Sequence, residues 1–365
     1  MSGGDAGPAL TARERRLRRA LIGVAMLAAL ALLAVAGLIY YWWLYLLGPS
    51  GDPFTRGPYL VRVTEDAAEL RWRTDGDRAV QVIALDPGGR EVVARGRRLE
   101  GLRPGTRYTW VAGIDGSGAA SGAFTTPPVA PRTPVRIAAL ADYGAGGDEA
   151  WAVARGIAAW RPDLVLTAGD NSYLSAAAPL LDRNIFRPLA DVMRNAPVYV
   201  GLGDHDQLPP GDGAIRDAFD LEPGGRYAVA HGPVQVVFLG NEAGAEAVAF
   251  ARQALAAPGF RHRFVVVHHP PRAGQPLVDV ARAAGVRAIL SGHLHRYERR
   301  LVDDVRAFTV GTGGAPLGGE EFTRASAGAQ VSLTEFGHLR IEVRGARVAY
   351  AFVDQTGRVL DRASG

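Results

Sequence analysis

The pattern of apolar and polar positions changes twice along the chain, and each change predicts a different kind of structure. Residues 20–47 are 28 consecutive positions without a charge. As a helix rising about 1.5 Å per residue, this run exceeds the roughly 30 Å hydrocarbon core of a bilayer. Leu, Ala and Val fill its first part, and Tyr40, Tyr41, Trp42, Trp43 and Tyr45 gather at its end, as aromatic residues do at a membrane interface. From residue 58 to about 126 the period becomes two. Residues 60–63 and 68–73 alternate as half-buried strands do, and 81–85 reads as a strand ending in the turn Asp86-Pro87-Gly88-Gly89. Beyond a proline-rich stretch at 125–134, strand and helix patterns alternate. Strands are predicted at 135–140, 164–167, 198–202, 234–239, 264–267 and 288–290. Helices are predicted at 149–160, 176–193, 245–256 and 276–284, the second interrupted near Pro179 and Pro188. A β-rich tail follows at 307–310, 338–343 and 347–353. Alternation ending in β hairpins predicts an α/β (α+β) class, with sheets sandwiched between helix layers.

These patterns divide the 365 residues into a basic tail (1–19), a transmembrane anchor (20–47), a linker (48–57), a small all-β sandwich (58–127), a stiff proline-rich linker (128–134) and a main domain (135–355). Charge orients the anchor. The net +4 is local, since residues 1–20 carry five Arg against Asp5 and Glu14, and the remainder is close to neutral. The basic flank from Arg13 to Arg19 predicts a cytoplasmic N-terminus, hence a single-pass plasma-membrane protein with everything after residue 50 extracytoplasmic. Secretion after signal cleavage is the alternative. Against it, the run is longer than a usual signal core and no tidy small-x-small site follows it, Ala34-Val35-Ala36 lying inside. Without a concentrated basic face no nucleic-acid polymer is expected as a partner. The absence of cysteine excludes disulfides, thiolate catalysis and Cys-ligated zinc.

Candidate chemistry is concentrated in the main domain. Five short blocks each end a predicted strand with metal-binding side chains: Asp142-Tyr143-Gly144, Gly169-Asp170-Asn171-Ser172-Tyr173, Gly203-Asp204-His205-Asp206, Val265-Val266-Val267-His268-His269 and Gly292-His293-Leu294-His295. In α/β sheets the working groups sit just beyond the carboxyl ends of strands, so the five blocks should converge at one edge. Carboxylate, imidazole and phenol donors suit Fe, Zn or Mn better than calcium. Two such ions a few ångströms apart clamp the attacking and leaving oxygens of a phosphoryl group. Residues 311–319 read as a glycine-rich loop without the lysine and following helix of a phosphate cradle.

The ordered set Asp-x-Gly, Gly-Asp-x-x-Tyr, Gly-Asp-His-Asp, Val-x-x-His and Gly-His-x-His resembles the pattern of purple acid phosphatases within the calcineurin-like metallophosphoesterases, over residues 58–353. Leu102-Arg103-Pro104-Gly105-Thr106-Arg107-Tyr108 resembles the corner of fibronectin type III domains, where the Tyr hydroxyl bonds to nearby backbone, with Trp72 as core candidate. The resemblance implies a four-layer αββα phosphoesterase sandwich behind a fibronectin-like domain. It implies hydrolysis of small-molecule phosphate monoesters by a metal-bound hydroxide, with phosphodiesters or nucleotides as alternative substrates and an inactive surface-binding protein as a remoter one.

Carried over position by position, Asp142, Asp170, Tyr173 and His295 would hold a first ion. Asp170, Asp204, His268 and His293 would hold a second, with Asp170 bridging. Tyr173 implies Fe(III) at the first position, with Fe(II), Zn(II) or Mn(II) at the second, and His205 would contact phosphate and protonate the leaving group. His269, Asn171 and Asp206 are expected to contact substrate or support the ligands, Asp206 through a histidine, unless Asn171 is simply a turn residue. Two departures stand out. The family's Asn ligand is Asp204 here, which adds a negative charge. The further histidines of plant-type enzymes are replaced by Val278 and Asp279.

Overall fold

The structure, a computed structural model, describes residues 12–47, 54–115, 117–129, 134–317 and 324–365. The tail before residue 12, most of the expected linker at 48–57, residues 130–133 of the proline-rich linker and the end of the glycine-rich loop lie outside the described residues. So do the side chains at 14–20 and 41–47, which carry most of the basic flank and of the expected aromatic belt.

Residues 1–50 and 51–365 form separate units. In the first, α1 (Ala12–Leu47) is one 36-residue helix. Its segment Leu21–Tyr40 has a mean hydropathy of 2.7 and no buried residues. It is long and apolar enough to cross a membrane.

The second unit begins with seven strands: β1 (Phe54–Val63), β2 (Ala67–Thr74), β3 (Val80–Leu85), β4 (Glu91–Val93), β5 (Arg98–Glu100), β6 (Arg107–Ile114) and β7 (Ser117–Thr125). They form two antiparallel sheets, β1-β2-β5 and β4-β3-β6-β7. Period-two alternation sends Leu60, Leu70, Val82, Tyr108, Trp110 and Phe124 into one shared core. The Arg103 N–H donates to Tyr108 Oη at 2.9 Å, the corner bond the sequence suggests. Trp110, not Trp72, is the fully buried tryptophan. Trp72 stands near the end of β2, half-buried, with the Arg97 guanidinium 5.4 Å above its ring. β1 also starts inside the expected linker, because Phe54 is buried and pairs with Thr74.

The remaining elements are β8 (Val135–Leu140), α2 (Asp148–Trp160), β9 (Leu164–Ala168), α3 (Ala178–Leu181), a π-turn (Asp182–Phe186), α4 (Ala190–Asn195), β10 (Val198–Gly201), α5 (Asp204–Gln207) and α6 (Gly213–Phe219). Then come β11 (Tyr227–His231), β12 (Val234–Phe238), α7 (Ala245–Leu255), β13 (His262–Val266), α8 (Pro276–Ala283), β14 (Val286–Ser291), β15 (Tyr297–Val302), β16 (Val305–Val310), β17 (Ala329–Leu333), β18 (Gly337–Arg344), β19 (Arg347–Asp354) and β20 (Val359–Ser364). One sheet runs β10-β9-β8-β18-β19-β20 and the other β11-β12-β13-β14-β16-β15-β17. Strand parity decides which layer each side chain joins. Ile137 and Ala139 of β8 face the second sheet with Phe264 and Val266 of β13. Ala138 and Leu140 face Val153 and Ile157 of α2, while Val265 and Val267 face Leu255 of α7 and Leu277 of α8. Strands covered on both faces read as unbroken apolar runs, as these do. The order is helix, sheet, sheet, helix.

The helix expected at 176–193 is broken. Pro179 occupies the first turn of α3, and Pro188, which has no N–H, falls between the π-turn and α4. The short helices α5 and α6 and strands β11, β15, β17 and β20 were not among the predicted elements, although Tyr227 and Val229 of β11 alternate inward. β20 pairs with β19 and carries the domain to Ser364, beyond the boundary expected at 355.

Candidate metal centre

Five loops leave the carboxyl ends of β8, β9, β10, β13 and β14, three from one sheet and two from the other. Their ligand-type atoms meet in three groups, each within 4.8 Å: Asp142, Asp170 and His268; Asp170, Asp204 and His205; and Asp204, His268, His269 and His293. Asp170, Asp204 and His268 each belong to two groups. Tyr173 and His295 complete one end, with Tyr173 Oη donating to Asp142 Oδ1 at 3.1 Å and lying 2.9 Å from His295 Nε2. His295 Nε2 is 3.5 Å from Asp142 Oδ1. At the other end, Asp204 Oδ1 lies 2.8 Å from His268 Nε2, 3.4 Å from His293 Nδ1 and 3.9 Å from His269 Nε2.

The backbone is bent to bring these groups together. Asp142, Asp170 and His293 all adopt left-handed backbone, with φ of 55°, 53° and 69°. Such conformations are uncommon outside glycine and collect at functional sites. At Gly203 a Cβ would collide with the Asp170 carboxylate, and at Gly292 with that of Asp142, so glycine is what lets neighbouring loops close on the carboxylates.

Second partners fix which atom of each ring faces inward. His268 Nδ1 is 2.8 Å from the Ala168 carbonyl and His295 Nδ1 is 2.9 Å from the Pro316 carbonyl. Each Nδ1–H donates outward, leaving Nε2 as the donor atom for a cation. Burial, reinforced by Asp170, raises the Asp142 carboxyl to about 6 against the pull of His268. Burial also drives the Tyr173 phenol far above its ordinary value, with Asp142 and Asp170 adding to the effect. Burial alone would lower His268, but Asp204, Asp142 and Asp170 outweigh it and raise the ring to about 9. Hydrogen bonds from His268 and His293 hold Asp204 well below the carboxylate range. The ion-pair partners of these carboxylates are histidines. A crowd of buried carboxylates with inward-facing imidazoles and a phenol therefore suits cations, whose charge inverts this local balance.

His205 donates its backbone N–H to Asp170 Oδ1 at 3.1 Å, and its ring lies 4.5 Å from that of Tyr173. Its Nδ1 is buried without a hydrogen-bond partner. His269 stacks on His293 at 4.0 Å, with Glu242 4.0 Å from its Nδ1. Two expectations need correction. Asp206 supports no histidine; it accepts the backbone N–H groups of Asn171, Ser172 and Gly203, and burial raises it to about 7. Asn171 is neither a surface turn residue nor open to substrate. It is fully buried, bonded to Tyr143, Thr167, Asp206 and the Gly201 carbonyl. These two buried side chains tie the β9 and β10 loops together. His231, His262 and His338 lie buried in the core. Sequence reasoning missed Asn184, which donates to Ser172 Oγ at 3.0 Å, and the two carbonyls that orient the histidines, which carry no residue signature.

Residues 135–297 match the family model of calcineurin-like phosphoesterase. No curated protein matches the sequence. Among solved structures the chain is similar to purple acid phosphatase PPD1 from yellow lupin (Lupinus luteus) seeds, at 15% identity and TM-score 0.71, over 84% of this chain and 73% of that one. It is similar to PhoD at 12% identity and TM-score 0.61, over 86% and 93%. It is also similar to GAP50, the anchor in the inner membrane complex of Plasmodium, at 15% identity and TM-score 0.52, over 64% and 88%. At these identities the likeness is one of fold. Residues 135–297 thus match the calcineurin-like phosphoesterase family, and the sheet pair between helix layers is the fold shared with these structures.

Proposed function

We propose that the chain is a membrane-anchored, extracytoplasmic hydrolase of phosphate monoesters that works with two metal ions. The observation that carries this reading is the shared position of Asp170, within reach of Asp142 on one side and Asp204 on the other. Asp142, Asp170, Tyr173 and His295 would hold one ion, and Asp170, Asp204, His268 and His293 the other. Bound ions would supply Lewis-acid activation of water and of the phosphoryl oxygens. A buried phenol gives up its proton only to a strongly polarising cation, which favours Fe(III) beside Tyr173, with Fe(II), Zn(II) or Mn(II) opposite. His205 offers an unpartnered ring nitrogen beside both carboxylates, suited to hand a proton to the departing alkoxide. The corner bond of Tyr108 supports reading the two-sheet unit as fibronectin III-like. The apolar segment Leu21–Tyr40 supports the anchor, and the Arg-rich flank its orientation.

Asp204 favours a second reading of the substrate. An ionised carboxylate where relatives of this pattern carry Asn makes the mouth more negative, which disfavours a dianionic monoester relative to a monoanionic diester. A panel of mono- and diesters across pH, run on the full-length protein in detergent before and after chelation, tests both readings. Chelator-sensitive monoester hydrolysis supports the first and chelator-sensitive diester preference the second. Hydrolysis that survives complete metal removal would overturn both.

A further inference from the structure

The two-sheet unit contributes no ligand, yet it grips the segment that backs Tyr173. Arg56 of β1 donates from Nε to Asp182 Oδ1 at 2.6 Å, with both side chains largely buried at 9% and 13% exposure. Its guanidinium also lies 4.2 Å above the ring of Phe186. Asp182 and Phe186 are the first and last residues of the π-turn, so one side chain holds both ends. Arg73 of β2 reaches the other Asp182 oxygen at 2.7 Å. Tyr59 packs on Phe186 from the same side, with ring centroids 4.8 Å apart.

The opposite side of that turn meets the site. Asn184, at its centre and buried, donates Nδ2 to Ser172 Oγ at 3.0 Å and toward the Tyr173 carbonyl at 3.5 Å. Gly146, on the loop that follows Asp142, leaves no room for a Cβ, which would lie 2.7 Å from Asn184 Oδ1. The turn thus touches both loops that frame the Tyr173 end of the centre. It also needs outside support. A π-helical turn is rare, occurs mostly as a bulge inside an α-helix and is frequent at functional sites. This one, closed by Arg187 N–H to the Asp182 carbonyl at 2.9 Å, lies between Pro179 and Pro188 without a long helix around it. The loop it backs is strained, because Leu174 sits at φ 68° with 79% of its surface exposed. A leucine in that conformation relaxes unless its surroundings hold it.

We propose that Arg56 is a positioning residue for Tyr173: through Asp182 and Phe186 it locks the π-turn, and through Asn184 the turn holds the Ser172–Tyr173 loop in place for metal. The consequence for metal rests on the reading of Tyr173 as a ligand, whereas the mechanical coupling does not. The same unit makes a further bridge, from Arg71 to Asp220 at 3.0 Å, just after Phe219, whose ring stacks on Phe186 at 5.6 Å. It reaches the turn only through that ring contact and grips neither Asp182 nor Asn184. It is the matched control.

The test uses the full-length protein in detergent with Arg56→Ala, Arg56→Lys, Asp182→Asn and Arg71→Ala. Amide hydrogen exchange at Tyr173, whose N–H donates to the Gly144 carbonyl at 2.9 Å, is read on chelated protein. Equilibrium dialysis with Fe or Zn alone then gives the affinity of each metal site. Arg56→Ala and Asp182→Asn are expected to speed Tyr173 exchange about tenfold and to weaken one metal site by about 10- to 100-fold, the range for removing a supporting partner of a ligand. The other metal site should stay within a factor of about two. Arg56→Lys should recover part of the loss, and Arg71→Ala should leave both readouts unchanged at comparable melting temperature. Equal shifts from Arg56→Ala and Arg71→Ala would reduce the effect to general stability and overturn the proposal, as would unchanged exchange in both Arg56→Ala and Asp182→Asn. If the parent protein binds no metal while exchange still responds selectively, the coupling stands and the metal reading alone fails.

Discussion

The two ends of the centre use similar donors at different depths. At the Tyr173 end, Asp142 is fully buried and the His295 side chain is 14% exposed. At the Asp204 end His268 is fully buried too, but the side chains of Asp204, His269 and His293 keep 41%, 33% and 32% of their surface. The deep end is tied from behind by the Pro316 carbonyl and by Asn184. The open end is more exposed, with Glu242 4.0 Å from His269 Nδ1. A low-dielectric, pre-shaped pocket strengthens electrostatic selection, whereas an exposed cluster is screened and adaptable. The deep end should therefore choose its ion strictly, and the open end should exchange ions and meet the substrate.

Substitutions at each end can break that comparison. The largest expected effect is from Tyr173→Phe, which removes the phenol but keeps the ring against His205. It should weaken the deep site by more than the loss of about 10- to 100-fold typical of removing a supporting partner, and abolish any phenolate-to-iron absorption while the open site stays filled. Equal loss from both sites in metal analysis would show that depth does not separate them. Asp204→Asn should act in the other direction, lowering affinity at the open site by roughly tenfold and leaving the deep one intact. Unchanged metal content and kinetics would remove the idea that Asp204 sets this end apart.

Acid gives a smaller effect, from outside the centre. His338 is fully buried, and burial, helped by Arg340, pushes its ring down to about 3 from an ordinary 6.5. Burial likewise lowers His231 to about 4. The unfolded chain takes up these protons below about pH 6.5 and the folded chain does not. The stabilisation is therefore complete above pH 6.5 and declines as pH falls toward the folded values. For His338 the loss by pH 5 is about 2 kcal/mol. Thermal melts at pH 7 and 5 should show a drop that His338→Gln reduces; an equal drop in that variant would assign acid sensitivity elsewhere.

The legible parts of the molecule were those where side-chain identity and structure coincide. Val135 to Ala141 and Phe264 to Val267 read as strands because both faces are covered, and the five blocks stood out because metal-binding side chains recur after five predicted strands, where one such block would mean little. The break at 176–193 was half visible in Pro179 and Pro188. What replaced the helix was not, because a π-turn depends on Arg56, 126 residues from Asp182. Trp72 and Trp110 have the same inward parity, but Trp110 is also covered by α4, its indole N–H donating to the Arg194 carbonyl at 3.1 Å, a contact 84 residues away that sequence parity does not show. Asp206 and Asn171 were noticed as residues of a metal motif, but their function in bracing the backbone appears only once Gly203, Ser172 and Gly201 are brought beside them in space.

The most direct test of the central claim is to count metals and record the visible spectrum of the full-length protein and of Asp170→Ala. Two ions per chain with a phenolate-to-iron band, both lost in Asp170→Ala, is the result expected if that carboxylate joins the two ends into one binuclear centre. A colourless, active protein with two zinc or manganese ions would reject only the iron assignment. A metal-free, inactive protein with every ligand in place, or an Asp170→Ala variant that keeps both ions, would contradict the account.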